Sequence, residues 1–143
     1  SPIIPGVSQG DGPIIRTGDA LTTFDSAAEI ILYEAAKNLQ KEDKSFVFQR
    51  HLMSGGGCEA TAFAQEGYKV TGIALPLANW HNATSDLRDS KGDIGAEQIS
   101  KFDYLNAIKL IKRASTIQNH EKIEINSKLP DVSPQIIKRL ANQ

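Results

Sequence analysis

The spacing of hydrophobic positions predicts a series of amphipathic helices along the chain. In residues 25–40 apolar side chains recur every three or four positions, as they do on one buried face of a helix. The same spacing recurs in residues 102–117, and residues 59–65 predict a shorter helix between these two. A weaker amphipathic pattern in residues 133–140 predicts a further helix near the end of the chain, with a Ser-Pro pair at its start.

Short runs rich in β-branched and aromatic residues predict strands between the helices. Residues 14–17, 45–50 and 68–75 have this composition and are bounded by glycine, proline or charged turns. Strands that alternate with helices favour an α/β fold, so we expect three layers, with a mostly parallel sheet flanked by helices. Residues 82–95 have no periodic apolar face and predict a surface loop. The sheet is small, and we expect strands outside this sequence to complete it.

Composition and charge narrow the classes of function. The 143 residues are 40% hydrophobic and 23% charged, and the net charge of −1 gives no electrostatic basis for binding nucleic acid or an anionic membrane. No segment approaches the roughly 18 apolar residues of a membrane-spanning helix. The N-terminus has no signal-peptide pattern and the single cysteine suits a reducing compartment, so we expect a cytoplasmic protein. The sequence begins with Ser1 rather than methionine, which favours a piece of a longer chain.

Three consecutive glycines, Gly55, Gly56 and Gly57, form the stretch around which the rest of the sequence is organised. Glycine lets the backbone turn sharply and approach a ligand or a neighbouring strand closely. We expect this glycine turn to line a substrate pocket together with Cys58 and Trp80, although aromatic residues near a sheet edge are more often part of the core. The turn can also be interpreted as a phosphate cradle, but neither a GxGxxG nor a GKS/GKT motif accompanies it.

Glu59 and His81 are candidates for polar chemistry. Glu59 begins a helix, where a carboxylate interacts favourably with the dipole, and it can be a capping residue with no further role. His81 follows a buried strand, and its imidazole can bind a metal ion or be incidental to the loop. Zinc sites use about three or more protein ligands, and the sequence has no HExxH or CxxC motif to supply them. We expect the glycine turn and His81 to meet at one edge of the sheet.

Cys58 offers a competing chemistry. A thiol at a helix N-terminus behind three glycines has backbone N–H groups nearby that can form an oxyanion hole. With His51 or His81 as the base, this arrangement would be a Cys-His hydrolase. The alternative is a small buried cysteine that packs under the turn.

The order of these segments resembles a known family. Gly-Pro-Ile-Ile at residues 12–15, Ser-Gly-Gly-Gly-Cys-Glu-Ala at 54–60, the strand at 71–76 and the His-Asn pair at 81–82 are similar to the C-terminal half of the dinuclear-metal aminopeptidases of the tetrahedral aminopeptidase family, also called glutamyl aminopeptidase or endoglucanase-like. The resemblance covers about residues 10–115. It implies a partial zinc-peptidase catalytic domain.

The resemblance assigns roles to individual residues. His81 matches the last histidine ligand of the two-metal centre, and Glu59 matches an aspartate that supports the site without binding metal. Gly56 and Gly57 match the paired glycines of the family. Cys58 departs from the pattern, since the family has threonine there.

The resemblance also implies a function for the complete enzyme. Two zinc or cobalt ions would activate water to hydrolyse a peptide substrate, with a glutamate as general base. The other ligands and that base would lie in a missing N-terminal half, so we expect this chain to be inactive alone, and the complete enzyme to be a homo-oligomer. Residues 1–118 would form the C-terminal part of the catalytic domain, and residues 119–143 a tail with a short helix. A Cys-His hydrolase and a non-catalytic α/β interaction module remain as alternatives.

Overall fold

The computed structural model describes residues 6–84 and 92–117, together with Pro134, Gln135 and Lys138. The elements in chain order are β1 (Ile14–Arg16), α1 (Ser26–Glu42), β2 (Gln49–His51), α2 (Glu59–Gln65), β3 (Gly72–Ala74), β4 (Leu77–Ala78), β5 (Gln98–Ile99) and α3 (Lys101–Ala114). The expected α/β class is confirmed. The three described tail residues are helical, but the rest of the helix predicted at 133–140, and the proposed boundary at residue 118, lie outside the described residues. No described helix is long and apolar enough to cross a bilayer.

The long helices begin at capping residues that the sequence pattern favours. Asp25 precedes α1, and its carboxylate accepts a hydrogen bond of 2.8 Å from the Ala28 N–H. Ser100 precedes α3, and its hydroxyl accepts a longer bond of 3.4 Å from the Asp103 N–H. Each cap satisfies one of the N–H groups that a helix leaves free in its first turn.

The two long helices and the sheet share one buried core. Helices α1 and α3 pack against each other, and α1 also packs on β1. The buried core between them consists of apolar residues from β1, from both helices and from the turn before β2: Ile15, Leu32, Ala35, Ala36, Phe46 and Leu110. Removing this apolar surface from water is the main force that holds the layers together.

The three-stranded sheet is mixed, whereas the alternation of strands and helices predicts mostly parallel pairing. The strand order is β2-β1-β3, with β1 parallel to β2 and antiparallel to β3. Arg16, at the end of β1, pairs with His51 at the end of β2 and with Gly72 at the start of β3. The connection that contains the glycine turn and α2 therefore starts and finishes at the same end of the sheet. A parallel β3 would require the chain to travel back along the whole sheet first.

The predicted strand at 45–50 is shorter and begins later. Phe46 is 1% exposed and belongs to the core, but it lies in a turn in which its N–H donates to the Asp43 carbonyl. Ladder pairing starts only at Gln49, which lies beside Ile14. Phe46, which suggested a strand, is thus buried because it packs in the core and not because it pairs in the sheet.

A second, two-stranded sheet flanks the loop predicted at 82–95, and one isolated bridge lies inside that range. Strands β4 and β5 are antiparallel, and an isolated bridge between Ala83 and Ile94 extends the pairing towards residues 85–91, which lie outside the described part. The Thr84 N–H and hydroxyl both donate to the Asp93 carbonyl at 2.9 Å. Because hydrogen bonds of polar residues form much of this pairing, no apolar periodicity in the sequence predicts it.

Candidate functional site

The glycine turn is attached to the loop that follows β1. The Met53 N–H donates to the Gly18 carbonyl at 3.2 Å, and the Ala20 N–H donates to the Gly56 carbonyl at 3.1 Å. These two bonds continue the contact between β1 and β2 beyond the ends of the strands. The turn is therefore held against residues 18–20.

Asp19 connects this loop to the start of α2. Its side chain is buried, and Oδ1 accepts hydrogen bonds of 2.9 Å from the N–H groups of Leu21 and Thr22. Oδ2 accepts a bond of 3.0 Å from the Cys58 N–H and a further bond from the Thr61 hydroxyl. The Thr61 hydroxyl and these N–H donors hold the pKa of the Asp19 carboxyl far below its usual range, although burial acts in the opposite direction.

Sequence reasoning assigned no role to Asp19. An aspartate followed by N–H groups two and three positions later is typical of an Asx-turn, so the bonds to Leu21 and Thr22 were within reach of the sequence. The bonds to Cys58 and Thr61 span about forty positions and have no local signal.

The three glycines differ in how closely they are packed. None of Gly55, Gly56 and Gly57 adopts a positive φ. A Cβ added at Gly57 would lie 2.9 Å from Leu21 Cδ1, whereas a Cβ at Gly55 or Gly56 would meet nothing within 4 Å. Only Gly57 therefore makes the close approach that a glycine run suggests.

Cys58 and Glu59 lie at the start of α2, and neither is joined to a histidine among the described residues. Cys58 is partly buried, and its backbone N–H is bound by Asp19. Among the hydrogen bonds of the described residues, none joins Cys58 to His51 or His81, and none involves the exposed side chain of Glu59. No observation thus favours the Cys-His hydrolase.

His81 lies in a tight turn with a rare backbone conformation. Asn79, His81 and Asn82 have φ values of 56°, 53° and 61°, in the left-handed region that non-glycine residues seldom adopt. The imidazole of His81 is exposed and lies against the Trp80 ring, with 4.1 Å between ring centroids and 40° between planes. Trp80 is itself 41% exposed, so it belongs to this surface and not to the core.

The strand directions separate His81 from the glycine turn. The glycine turn leaves the sheet beside Arg16, whereas the chain leaves β3 beside Ile14, at the other end. The Gln9 side-chain amide donates to the Pro76 carbonyl at 3.2 Å and to the Gln98 carbonyl at 2.7 Å, which ties the small sheet to the segment before β1. The expectation that both features meet at one edge depended on a parallel β3, and the antiparallel pairing does not support it.

The described residues contain no group of three or more His, Cys, Asp or Glu side chains arranged to hold a metal ion. His81 can still contribute one ligand, because an exposed imidazole offers a nitrogen that zinc and cobalt both accept. A complete centre would need its other ligands from polypeptide outside the described part.

Comparison with solved structures shows what this fold is similar to. A TET aminopeptidase from a marine-sediment Thaumarchaeota archaeon matches 75% of this chain and 26% of its own, with 22% identity and a TM-score of 0.56. The dodecameric PhTET1-12s structure matches 80% of this chain and 30% of its own, with 23% identity and a TM-score of 0.59. Aminopeptidase APDkam598 from the archaeon Desulfurococcus kamchatkensis matches 88% of this chain and 36% of its own, with 21% identity and a TM-score of 0.59.

This chain has part of a TET-type aminopeptidase fold. At these identities the likeness concerns the fold alone, and the chain spans 26% to 36% of the lengths of the structures that it matches. No family model and no curated protein matches the sequence.

Proposed function

We propose that this chain is the C-terminal part of the catalytic domain of a metal-dependent aminopeptidase, and that His81 is one ligand of its metal centre. The likeness of the fold to two structures described as aminopeptidases supports the class of enzyme. The observation that carries the assignment of His81 is its exposed imidazole on a backbone held in the left-handed region. Strained backbone that the surrounding structure maintains is concentrated at functional sites.

The chain's own residues would contribute binding and orientation. His81 would supply a neutral imidazole nitrogen, and the Trp80 ring against it would restrict the orientations that the imidazole can adopt. Two zinc or cobalt ions, when bound, would polarise the scissile carbonyl of a peptide substrate. The general-base glutamate and the other ligands would come from the N-terminal half of the same enzyme, so this chain alone would not hydrolyse peptides.

The remaining roles stay predictions. The glycine turn, with Gly55, Gly56, Gly57 and Cys58, would form a wall of the substrate pocket only if residues outside this chain bring the two ends of the sheet to a common cavity. Glu59 would support the site from the start of α2 without binding metal. By analogy with the dodecameric neighbour we also propose a homo-oligomer, and a cytoplasmic location stays a prediction.

A zinc titration of this chain tests the ligand assignment. We expect the imidazole NMR signals of His81 to broaden or shift at the lowest zinc concentration of the three histidines, and this response to vanish in His81→Ala. His120→Ala serves as the matched control and should leave the His81 response unchanged. A zinc response that is equal in the wild type and His81→Ala would remove His81 from the proposal.

A further inference from the structure

Three residues around the candidate ligand store backbone strain. Asn79, His81 and Asn82 all lie in the left-handed region, which costs a non-glycine residue free energy and persists only where the surrounding structure enforces the conformation. His81 and Asn82 are exposed and Asn79 is half-buried, so core packing does not enforce the turn. The Ala83 N–H closes the turn locally by donating to the Trp80 carbonyl at 3.2 Å, and hydrogen bonds from a neighbouring segment add to this bond.

The segment 95–97 provides these bonds to each of the three residues. The Asn79 side-chain amide donates to the Ala96 carbonyl at 2.9 Å. The Asn82 side-chain amide donates to the Gly95 carbonyl at 3.2 Å, and the Gly95 N–H donates back to the Asn82 carbonyl at 2.7 Å. We call residues 95–97 the clamp segment.

Glu97 is the clamp residue that binds His81 directly. Its Oε1 accepts a hydrogen bond of 2.8 Å from the His81 N–H, across 16 positions of sequence. A carboxylate makes a stronger bond to an N–H than a neutral oxygen does. This bond fixes the backbone of His81 in a turn that has no other described side-chain acceptor for that N–H.

We propose that Glu97 is a positioning residue that holds the His81 backbone in the left-handed conformation from which its imidazole binds metal. This inference rests on the proposed function of His81, but the claim that Glu97 holds the His81 backbone can be tested without metal. Groups that orient a metal ligand through hydrogen bonds commonly change metal affinity by about 10–100-fold when they are removed.

The close packing around Gly95 is a second observation on the clamp segment. A Cβ at this position would lie 2.6 Å from Thr84 Cγ2 and 3.1 Å from Asn79 Nδ2. The clamp segment can therefore reach Asn79 and Asn82 only if residue 95 has no side chain. Gly95→Ala should push the clamp segment away from the turn, although this variant still carries Glu97.

The backbone test compares Glu97→Ala, Glu97→Gln and Gly95→Ala by NMR. A positive φ shortens the distance between the amide and α protons of one residue, which gives a strong NOE between them. We expect this NOE at His81 to weaken in Glu97→Ala and Gly95→Ala, and the Glu97→Gln variant to retain it because an amide oxygen still accepts the bond. Glu66→Ala, which removes an exposed glutamate elsewhere, should change nothing. An unchanged NOE in Glu97→Ala would overturn the proposal.

The metal test uses zinc as the probe and the response of the His81 imidazole as the readout. Half-saturation should require at least about 10-fold more zinc in Glu97→Ala than in the wild type, with recovery in Glu97→Gln. Equal zinc responses in the wild type and Glu97→Ala, in spite of a lost NOE, would overturn the positioning role. If the wild-type His81 does not respond to zinc at all, the proposed function fails, whereas the NOE still decides whether Glu97 holds the turn.

Discussion

Asp19 joins two loops that lie 39 positions apart in the sequence, through its bond to Cys58. Each carboxylate oxygen accepts two bonds, one pair from its own loop and the other pair from the start of α2. The Asp19 carboxylate thus holds the start of α2, beside the backbone bonds that hold the glycine turn against residues 18–20.

The Asp19→Asn variant should be less stable than the wild type. An asparagine amide in either orientation presents a donor where one pair of donors now finds an acceptor, and two donors that are at least partly buried lose that acceptor. Urea denaturation should show a lower midpoint for this variant. Asp11→Asn is the control, because Asp11 is exposed and makes no side-chain hydrogen bond among those of the described residues. Equal midpoints for the two variants would contradict the role of Asp19.

The same carboxylate should make stability depend on pH. The pKa of Asp19 is lower in the folded chain than its ordinary value of about 4, so the unfolded chain binds its proton first as the pH falls. Its contribution is complete above that ordinary value and is lost progressively below it. The difference in urea midpoint between the wild type and Asp19→Asn should therefore shrink between pH 6 and about pH 3. A difference that stays constant over this range would show that the Asp19 pKa is not lowered by folding.

At the scale of elements, one side chain of α3 fixes the approach to β1. Asp103 is completely buried, and its carboxylate accepts hydrogen bonds of 2.8 Å from the N–H groups of Gly10 and Gly12. No local pattern in the sequence indicates this role of Asp103, because its partners are about ninety positions away. The helix thereby holds the segment from which Gln9 reaches the small sheet that carries His81.

Gly12 and Gly10 offer a matched pair of substitutions at this junction. Both have a positive φ, of 90° and 91°, so alanine is strained at either position by about 1–2 kcal/mol. A Cβ at Gly12 would also overlap the Val47 carbonyl, whereas a Cβ at Gly10 meets nothing within 4 Å. Thermal unfolding should show a clearly larger loss of stability for Gly12→Ala than for Gly10→Ala, because overpacking adds about 1–3 kcal/mol to the cost of the backbone strain. Equal losses would mean that Gly12 is not held against Val47.

Local patterns predicted the helices well and the sheet only in part. Helix α1 follows from the apolar spacing and from Asp25, and both signals lie within a few residues of the element that they define. The direction of β3 depends on where the connection after β2 ends in space, which no local pattern contains. The turn at His81 depends on partners at residues 95–97, and for the same reason the sequence indicated the histidine but not the residue that binds its backbone.

At the scale of the whole molecule, the three-stranded sheet has two open edges. Strands β2 and β3 each pair with β1, and no other described strand pairs with the outer edge of either. Unpaired edges of a sheet are places where a further strand can add. The chain spans at most 36% of the length of each solved structure that it matches. Under the proposed function, polypeptide from the rest of the enzyme would pair with one of these two edges.

The metal content of the complete gene product tests the central claim most directly. The wild-type product should bind two zinc or cobalt ions and cleave an aminoacyl-anilide substrate, whereas His81→Ala should lose about one ion and most of the activity. His120→Ala should retain both. Metal content and turnover that are unchanged in His81→Ala would contradict the assignment of His81 as a ligand.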